Sequence, residues 1–224
     1  MNLLQIALTT KCNLHCKECP MYSFVNAGDA NWELNNVRLI PFLYKYVDPK
    51  NWFIELTGGE PGLYNGLNEL VSWLTNHQYR GLIKTNGLLP LPKSGHFPRI
   101  AAWHGNSVSD MCPEYYDQIL LIYGIQDYQN KAEYCDTHKM PFKTIGLDKD
   151  SGIDRTEHAL KRIAFINAVG QVLERPAVRP RPKYGQYGDL TMVEFSELKD
   201  HEACKHCKAA LDFWKFIEES WRQM

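Results

Sequence analysis

Cys12-Asn13-Leu14-His15-Cys16-Lys17-Glu18-Cys19 sets three thiols in the spacing Cys-x3-Cys-x2-Cys near the start of the chain. A [4Fe–4S] cluster takes four cysteine thiolates, one per iron. Three closely spaced thiolates with no nearby fourth leave one iron open, and an open iron can bind and activate a small molecule. The spacing therefore points to chemistry rather than to electron storage alone. The competing assignment is a structural zinc site or inert thiols. Structural zinc wants four ligands, often as two paired hooks. His15 would complete a Cys3His set, but it lies inside the loop with poor reach, so ligand arithmetic disfavours zinc.

Outward from this loop, the chain alternates strand-like and helix-like segments. Residues 3–9 are apolar with β-branched character and deliver the cysteine loop at their C-terminal end. Residues 52–56, 81–84, 99–103, 118–123 and 142–146 are the next strands expected. Residues 33–47 form an expected helix with Val37, Ile40, Leu43, Tyr44 and Val47 at helical spacing. Residues 65–77 form another, with Leu67, Leu70, Val71 and Leu74 on one face, and 127–138 a third. Residues 157–166 are also expected to be helical, and 167–175 to form a hairpin around Val169-Gly170. Strands separated by helices at these lengths predict parallel βαβ units, and so an α/β fold.

Bulk properties narrow the function classes. The 224 residues suit one domain or a domain with a small appendage, and 44% hydrophobic residues suffice for a core. A formal net charge of −1 gives no general affinity for nucleic acid or anionic membrane. No secretory signal and no membrane-spanning run are expected: the apolar start is too short, and no eighteen apolar residues run together. Seven cysteines without an export signal argue for metal binding in a reducing cytoplasm over a disulfide framework.

The polar motifs share one location. The cysteine loop, Gly58-Gly59-Glu60-Pro61, Thr85-Asn86-Gly87 and His104 each follow an expected strand. In parallel α/β folds the active site lies at the C-terminal strand ends. Alone, Gly58-Gly59-Glu60-Pro61 reads as a turn, though two glycines admit a close backbone approach and Glu60 suits a cationic amine. Asn86-Gly87 is a common turn pair; at a strand end, Thr85 and Asn86 also offer groups for a ribose or carboxylate. His104 has two readings: a strand-end histidine bonded to a carbonyl, or a catalytic proton carrier.

In this order, the cysteine motif, the Gly-Gly-Glu-Pro motif and Thr85-Asn86-Gly87 resemble a radical SAM enzyme over about residues 3–150. The resemblance implies a partial (β/α)6 TIM-like barrel. It implies that Cys12, Cys16 and Cys19 hold a [4Fe–4S] cluster whose open iron is chelated by S-adenosylmethionine. Gly58, Gly59 and Glu60 would bind the methionine amino group, and Thr85 and Asn86 the carboxylate or ribose. An electron delivered by a donor such as flavodoxin or ferredoxin would cleave the sulfonium, and the resulting 5′-deoxyadenosyl radical would abstract a substrate hydrogen. One departure stands out. Glu18 occupies the place before the third cysteine where the family usually carries an aromatic residue near the adenine, so Met21 and Tyr22 are candidates to cover that base. Thr144-Ile145-Gly146 is a further candidate to flank it.

The C-terminal part reads differently, and a soft boundary falls near residue 155. Residues 1–155 form the expected core and 156–224 a small C-terminal extension. Gly170, Gly188-Asp189-Leu190 and Cys204-x2-Cys207 resemble a degenerate SPASM or twitch extension. Cys112 and Cys135 are the remaining thiols to supplement Cys204 and Cys207. Cys135 sits in a helical segment among apolar neighbours and is expected to be core, so the count favours no auxiliary cluster, or at most a zinc or incomplete site. Arg175, Arg179, Arg181 and Lys183, with Tyr184 and Tyr187, form either a solvated run or a basic flap able to stack a base. The expected substrate is a peptide or protein. The alternatives are a nucleoside or nucleic acid, favoured by that flap, and a non-enzymatic metal-binding regulator, against which the Gly-Gly-Glu-Pro motif counts.

Overall fold

A computed structural model describes residues 2–14, 32–102, 111–123, 128–140, 142–146, 163–166, 171–173 and 186–189. In chain order these give strand β1 (Asn2–Ala7), helix α1 (Asn36–Tyr46), β2 (Trp52–Thr57), α2 (Leu67–Asn76), β3 (Arg80–Thr85), β4 (Arg99–Ala102) and β5 (Gln118–Tyr123). Helix α3 (Tyr128–Thr137), β6 (Phe142–Gly146), β7 (Ile163–Ile166), β8 (Gln171–Leu173) and β9 (Gln186–Asp189) follow. The sheet runs β6-β5-β4-β3-β2-β1-β7-β8-β9. Pairings from β6 through to β7 are parallel, whereas β7–β8 and β8–β9 are antiparallel. An α/β sheet of consecutive parallel strands with intervening helices is the expected partial barrel, with a short antiparallel addition beside β7.

Side-chain alternation assigns the two faces of the sheet. Leu4, Ile6, Leu8, Ile54, Leu56 and Ile83 pack in one cluster with Leu39, Phe42 and Leu43 of α1 and Leu67, Leu70, Val71 and Leu74 of α2. Each such buried side chain stabilises the fold by about 1.5–3 kcal/mol. The opposite residues of the same strands, among them Gln5 and Glu55, face the inside of the barrel.

Helix α1 shows how local polarity sets a packing face. Asn35 caps it by accepting the Val37 N–H at 2.8 Å, a contact worth about 1 kcal/mol. Asn36 is buried, donating to Gly66 O at 2.9 Å and Glu69 Oε2 at 2.8 Å while accepting from the Tyr64 hydroxyl at 2.6 Å. These bonds fix the rotation of the helix. The inward face is Asn36, Leu39, Phe42 and Leu43. Val37 and Tyr44, expected inside, are 79% and 74% exposed. At the other end of α1, the buried Tyr79 hydroxyl bonds Leu43 O at 3.0 Å and Val47 O at 2.9 Å, reinforcing the helix end where Leu43 O also accepts the Val47 N–H at 3.0 Å.

The second difference concerns 157–166. Its last four residues form a strand, not a helix. Ile163–Ile166 pairs with β1 on the edge away from β2, with Leu3 opposite Ile163 and Ile6 opposite Ile166. The β-branched and aromatic side chains there suit a strand once an open parallel edge is available. The hairpin expected over 167–175 has its second arm there, at Gln171–Leu173, but its first arm is the upstream Ile163–Ile166: Phe165 pairs with Leu173 and Ile166 with Val172.

At the start of β4, Arg99 is 3% exposed. Its guanidinium grips Asp117 through Nε at 3.0 Å and Nη2 at 2.7 Å, and Nη1 donates to Glu114 O at 2.9 Å. Burial alone would raise the Asp117 pKa, but the Arg99 hydrogen bonds and charge outweigh it and hold the pKa below its ordinary value.

Candidate active site

The strand ends of β1, β2 and β3 meet at one point, and the hydrogen bonds there are denser than strand pairing requires. Pairing of β1 with β2 continues past both strands. Leu8 N donates to Thr57 O at 2.9 Å, Gly59 N to Thr9 O at 2.7 Å and Glu60 N to Lys11 O at 2.7 Å. The Gly-Gly-Glu segment is therefore zipped onto the residues that lead into Cys12. Both glycines are required by this closeness. Gly58 has φ +135°, where side chains are strained, and a Cβ on it would lie 2.7 Å from Thr9 O. A Cβ on Gly59 would collide with Lys11 O.

The opposite side of the same segment is also held. Thr10 N donates to Trp32 O at 2.9 Å and Leu34 N to Leu8 O at 2.8 Å. The Trp32 N–H meets Thr10 Oγ1 at 2.9 Å. Lys11 Nζ pairs with Glu33 Oε2 at 2.8 Å, and Glu33 Oε1 accepts the Asn65 N–H at 2.9 Å. Partial burial would raise the Glu33 pKa, but the Lys11 and Asn65 contacts prevail and lower it. Residues 8–11 thus form the middle of a three-part stem.

Cys12 is half-buried, and its Sγ accepts the Leu14 N–H at 3.4 Å. An N–H directed at sulfur favours the thiolate that a metal needs. Cys112 and the fully buried Cys135 are free thiols. Burial pushes Cys135 up to about 11, which suits the core role expected for it. Cys16 and Cys19 lie outside the described residues, as do Glu18, Met21, Tyr22, His104, Arg175, Arg179, Arg181, Lys183, Tyr184, Cys204 and Cys207.

Glu60 is the hub of the site. It is 1% exposed. Its Oε1 accepts the Thr85 hydroxyl at 2.7 Å and the Gly62 N–H at 3.0 Å, and its Oε2 accepts the Asn86 N–H at 2.8 Å. Burial pushes its pKa up against the pull of those bonds. A carboxylate offers about four acceptor positions, so one is left for a further donor, and a cation there would relieve the cost of burial. Thr85 and Asn86 are buried as well. Thr85 Oγ1 accepts the Gly87 N–H at 3.1 Å, and Asn86 Nδ2 reaches Asn13 Oδ1 at 2.7 Å. Asn13 was not singled out by the sequence; its place inside the cysteine motif is the signal that could have marked it.

The site thus joins one thiol of the cysteine motif, the Gly-Gly-Glu backbone and the Thr-Asn pair in a single hydrogen-bonded unit. Its donor chemistry fits a thiolate-bound cluster with an amine-bearing ligand beside it.

Comparison with known proteins gives the same frame. No family model matches the chain. A curated relative, GTP 3′,8-cyclase of Helicobacter pylori, is 30% identical over 91 residues, or 40% of this chain and 28% of that protein. The solved structure of anSMEcpe with bound AdoMet aligns at a TM-score of 0.57 and 12% identity, covering 100% of this chain and 96% of that one. Streptococcus suis SuiB bound to S-adenosylmethionine aligns at 0.53 and 13% identity, covering 85% of this chain and 63% of that one. The chain therefore spans about a quarter of the cyclase and under two thirds of SuiB. These proteins are radical SAM enzymes, and theirs is the fold that this chain shares.

Proposed function

A chain with the radical SAM fold carries that family's motifs at three adjacent strand ends, and on this premise we propose that it is a radical SAM enzyme acting on a peptide or protein. A [4Fe–4S] cluster on Cys12, Cys16 and Cys19 would supply the electron that cleaves S-adenosylmethionine to a 5′-deoxyadenosyl radical able to take a substrate hydrogen. The supporting observation is the hydrogen-bonded union of Cys12's segment with Gly59, Glu60, Thr85 and Asn86.

The chain's own residues then have distinct tasks. The stem of residues 8–11 fixes the height of Cys12 over the barrel. The Gly58-Gly59 edge and the remaining acceptor position of Glu60 receive the methionine ammonium. Thr85 and Asn86 hold Glu60 in place and border the carboxylate or ribose. His104 is a candidate proton carrier from the end of β4. The electron donor is of the flavodoxin or ferredoxin type, and the free thiols of Cys112 and Cys135 suit the reducing cytoplasm. Among the described residues no helix is long and apolar enough to cross a membrane.

Peptide chemistry is favoured because the likeness to anSMEcpe, a protein also solved with AdoMet and the Kp18Cys peptide, runs over 99% of this chain and 84% of that one. The cyclase relative favours a nucleoside or nucleotide instead, over a much shorter match. Anaerobic reconstitution tests the central claim. About four irons per chain and dithionite-driven release of 5′-deoxyadenosine are expected, with Cys16→Ala abolishing the product. One zinc without iron would refute the enzyme assignment in favour of a metal-binding regulator.

A further inference from the structure

Two acceptors stand side by side on the inner face of the barrel, with no hydrogen-bond donor to match them among the described residues. Gln5 and Glu55 are directly paired across β1 and β2, on the face opposite the Leu4, Ile6 and Ile54 core. Glu55 is 5% exposed. Its polar contact is Lys84 Nζ, 4.0 Å from Oε1 and so beyond hydrogen-bond reach. Gln5 Oε1 is buried and has no hydrogen-bond partner among the described residues. One step below them on the same face are Leu3 and Phe53, at 3% and 1% exposure, and level with Glu55 on β3 is Leu82, at 3%. Above them the next pair is Ala7 and Thr57, and then come the strand ends that carry Cys12 and Gly58.

A buried carbonyl left unmatched costs about 1–3 kcal/mol, and native structures seldom keep one without a use. Here two adjacent acceptors lie on the inner face of the sheet, bordered by apolar Leu3, Phe53 and Leu82. We propose that Gln5 and Glu55 form a substrate-recognition site for a nitrogen group carrying at least two N–H bonds. One hydrogen is donated to the Gln5 carbonyl and another to the Glu55 carboxylate. Primary amides, ammonium groups and guanidinium groups share that chemistry. Lys84 offsets part of the Glu55 charge, so a neutral amide is accommodated as well as a cation. In a peptide such groups belong to Asn, Gln, Lys or Arg side chains. The site rests on the radical SAM assignment for the chemistry that follows binding, but not for binding itself.

The test uses the reconstituted full chain and four probes: pentanamide, butylammonium, butylguanidinium, and hexan-2-one as a control of similar shape without N–H. Ligand-observed NMR gives each Kd. At least one nitrogen probe is expected to bind about tenfold more tightly than hexan-2-one, with the preference lost in Glu55→Leu. Binding by pentanamide alone identifies an amide substrate, and binding by the two cations alone a basic one. Equal binding of all four probes, or a preference that survives Glu55→Leu, overturns the site. Gln5→Leu supplies a second measure. Removing an unmatched carbonyl should leave Tm unchanged or raised, and a fall of several degrees would show a purely structural role and overturn the proposal. Wild-type cleavage of S-adenosylmethionine is measured separately: its absence defeats the radical assignment, whereas loss of probe preference defeats this site alone.

Discussion

Asn86 Nδ2 donates to Asn13 Oδ1 at 2.7 Å, joining the end of β3 to the interior of the cysteine motif across 73 residues of sequence. Through Asn86 N the same residue is bonded to Glu60 at 2.8 Å. The position of the motif is thus referenced to the sheet at two strands beyond its own.

Asn13→Ala severs that link without touching a thiol. Partners that orient metal ligands typically contribute about 10–100-fold to metal affinity or activity. Faster loss of iron to a chelator, by roughly tenfold, is expected from the variant. Unchanged iron release would show that Asn13 has no bearing on the cluster loop.

Gly59→Ala forces a methyl group into Lys11 O. Overpacking of this kind costs about 1–3 kcal/mol. Because the obstruction is backbone, the Gly-Gly-Glu segment has to separate from Thr9–Lys11. Both Tm and iron incorporation are expected to fall, and a variant that melts and loads like wild type would contradict the zipped stem.

Glu60 links pH to both stability and ligand binding. Its folded pKa is raised above 4.5 by burial. The folded state therefore binds the proton more tightly, and stability contributed by Glu60 declines as pH rises from 4.5 through the raised value. An ammonium ligand prefers the ionised form, so S-adenosylmethionine affinity is expected to weaken as pH falls through that same value. Calorimetric titration across this range checks the sign. Glu60→Gln should remove the dependence and lower Tm, because its amide NH2 would confront N–H or O–H donors from Asn86, Thr85 or Gly62.

Asp117 behaves oppositely. Its folded pKa lies below 3.8 because Arg99 grips it. The stability it contributes is present above 3.8 and lost as pH falls through the lower folded value. Breaking a buried pair costs about 3–5 kcal/mol. The Asp117 side chain is 41% exposed, so solvent screening brings the expected loss for Asp117→Asn nearer to about 2 kcal/mol. Melting curves recorded against pH should show the variant less stable at neutral pH and less sensitive to acid.

Val37→Lys should change stability by less than about 0.5 kcal/mol, whereas Leu39→Ala should cost about 2–5 kcal/mol. Denaturant titration of the two variants checks the rotation of α1. Equal losses would place Val37 inside.

These contrasts show where the sequence was legible. Strand-forming runs such as Gln118–Tyr123 and the four buried positions of α2 are set by local pattern, and they lie where the pattern put them. The face of α1 was not, because Asn36 owes its burial to Gly66, Glu69 and Tyr64, about thirty residues away. Residues 163–166 follow a helix-favouring stretch, and only the open edge of β1 makes a strand of them. At the site, the strand-end positions of Gly58, Gly59, Glu60, Thr85 and Asn86 were legible from spacing. The internal use of the Glu60 carboxylate was not, since it depends on the distance between two strand ends. Glu55, a lone acid within an apolar strand, was visible in the sequence but has meaning only beside Gln5.

The clamp around residues 8–11 also bears on the order of assembly. Thr10 is bound to Trp32 on one side of the stem, and Gly59 to Thr9 on the other. Folding of the sheet therefore brings the two ends of the 12–31 excursion together by itself. That closure carries an entropic cost that grows only slowly with the length enclosed, and here backbone pairing offsets part of it. A cluster held at Cys12 would then sit on a stem that strand pairing already closes, unlike small metal domains that are unfolded until they bind. Removing it should leave the barrel standing.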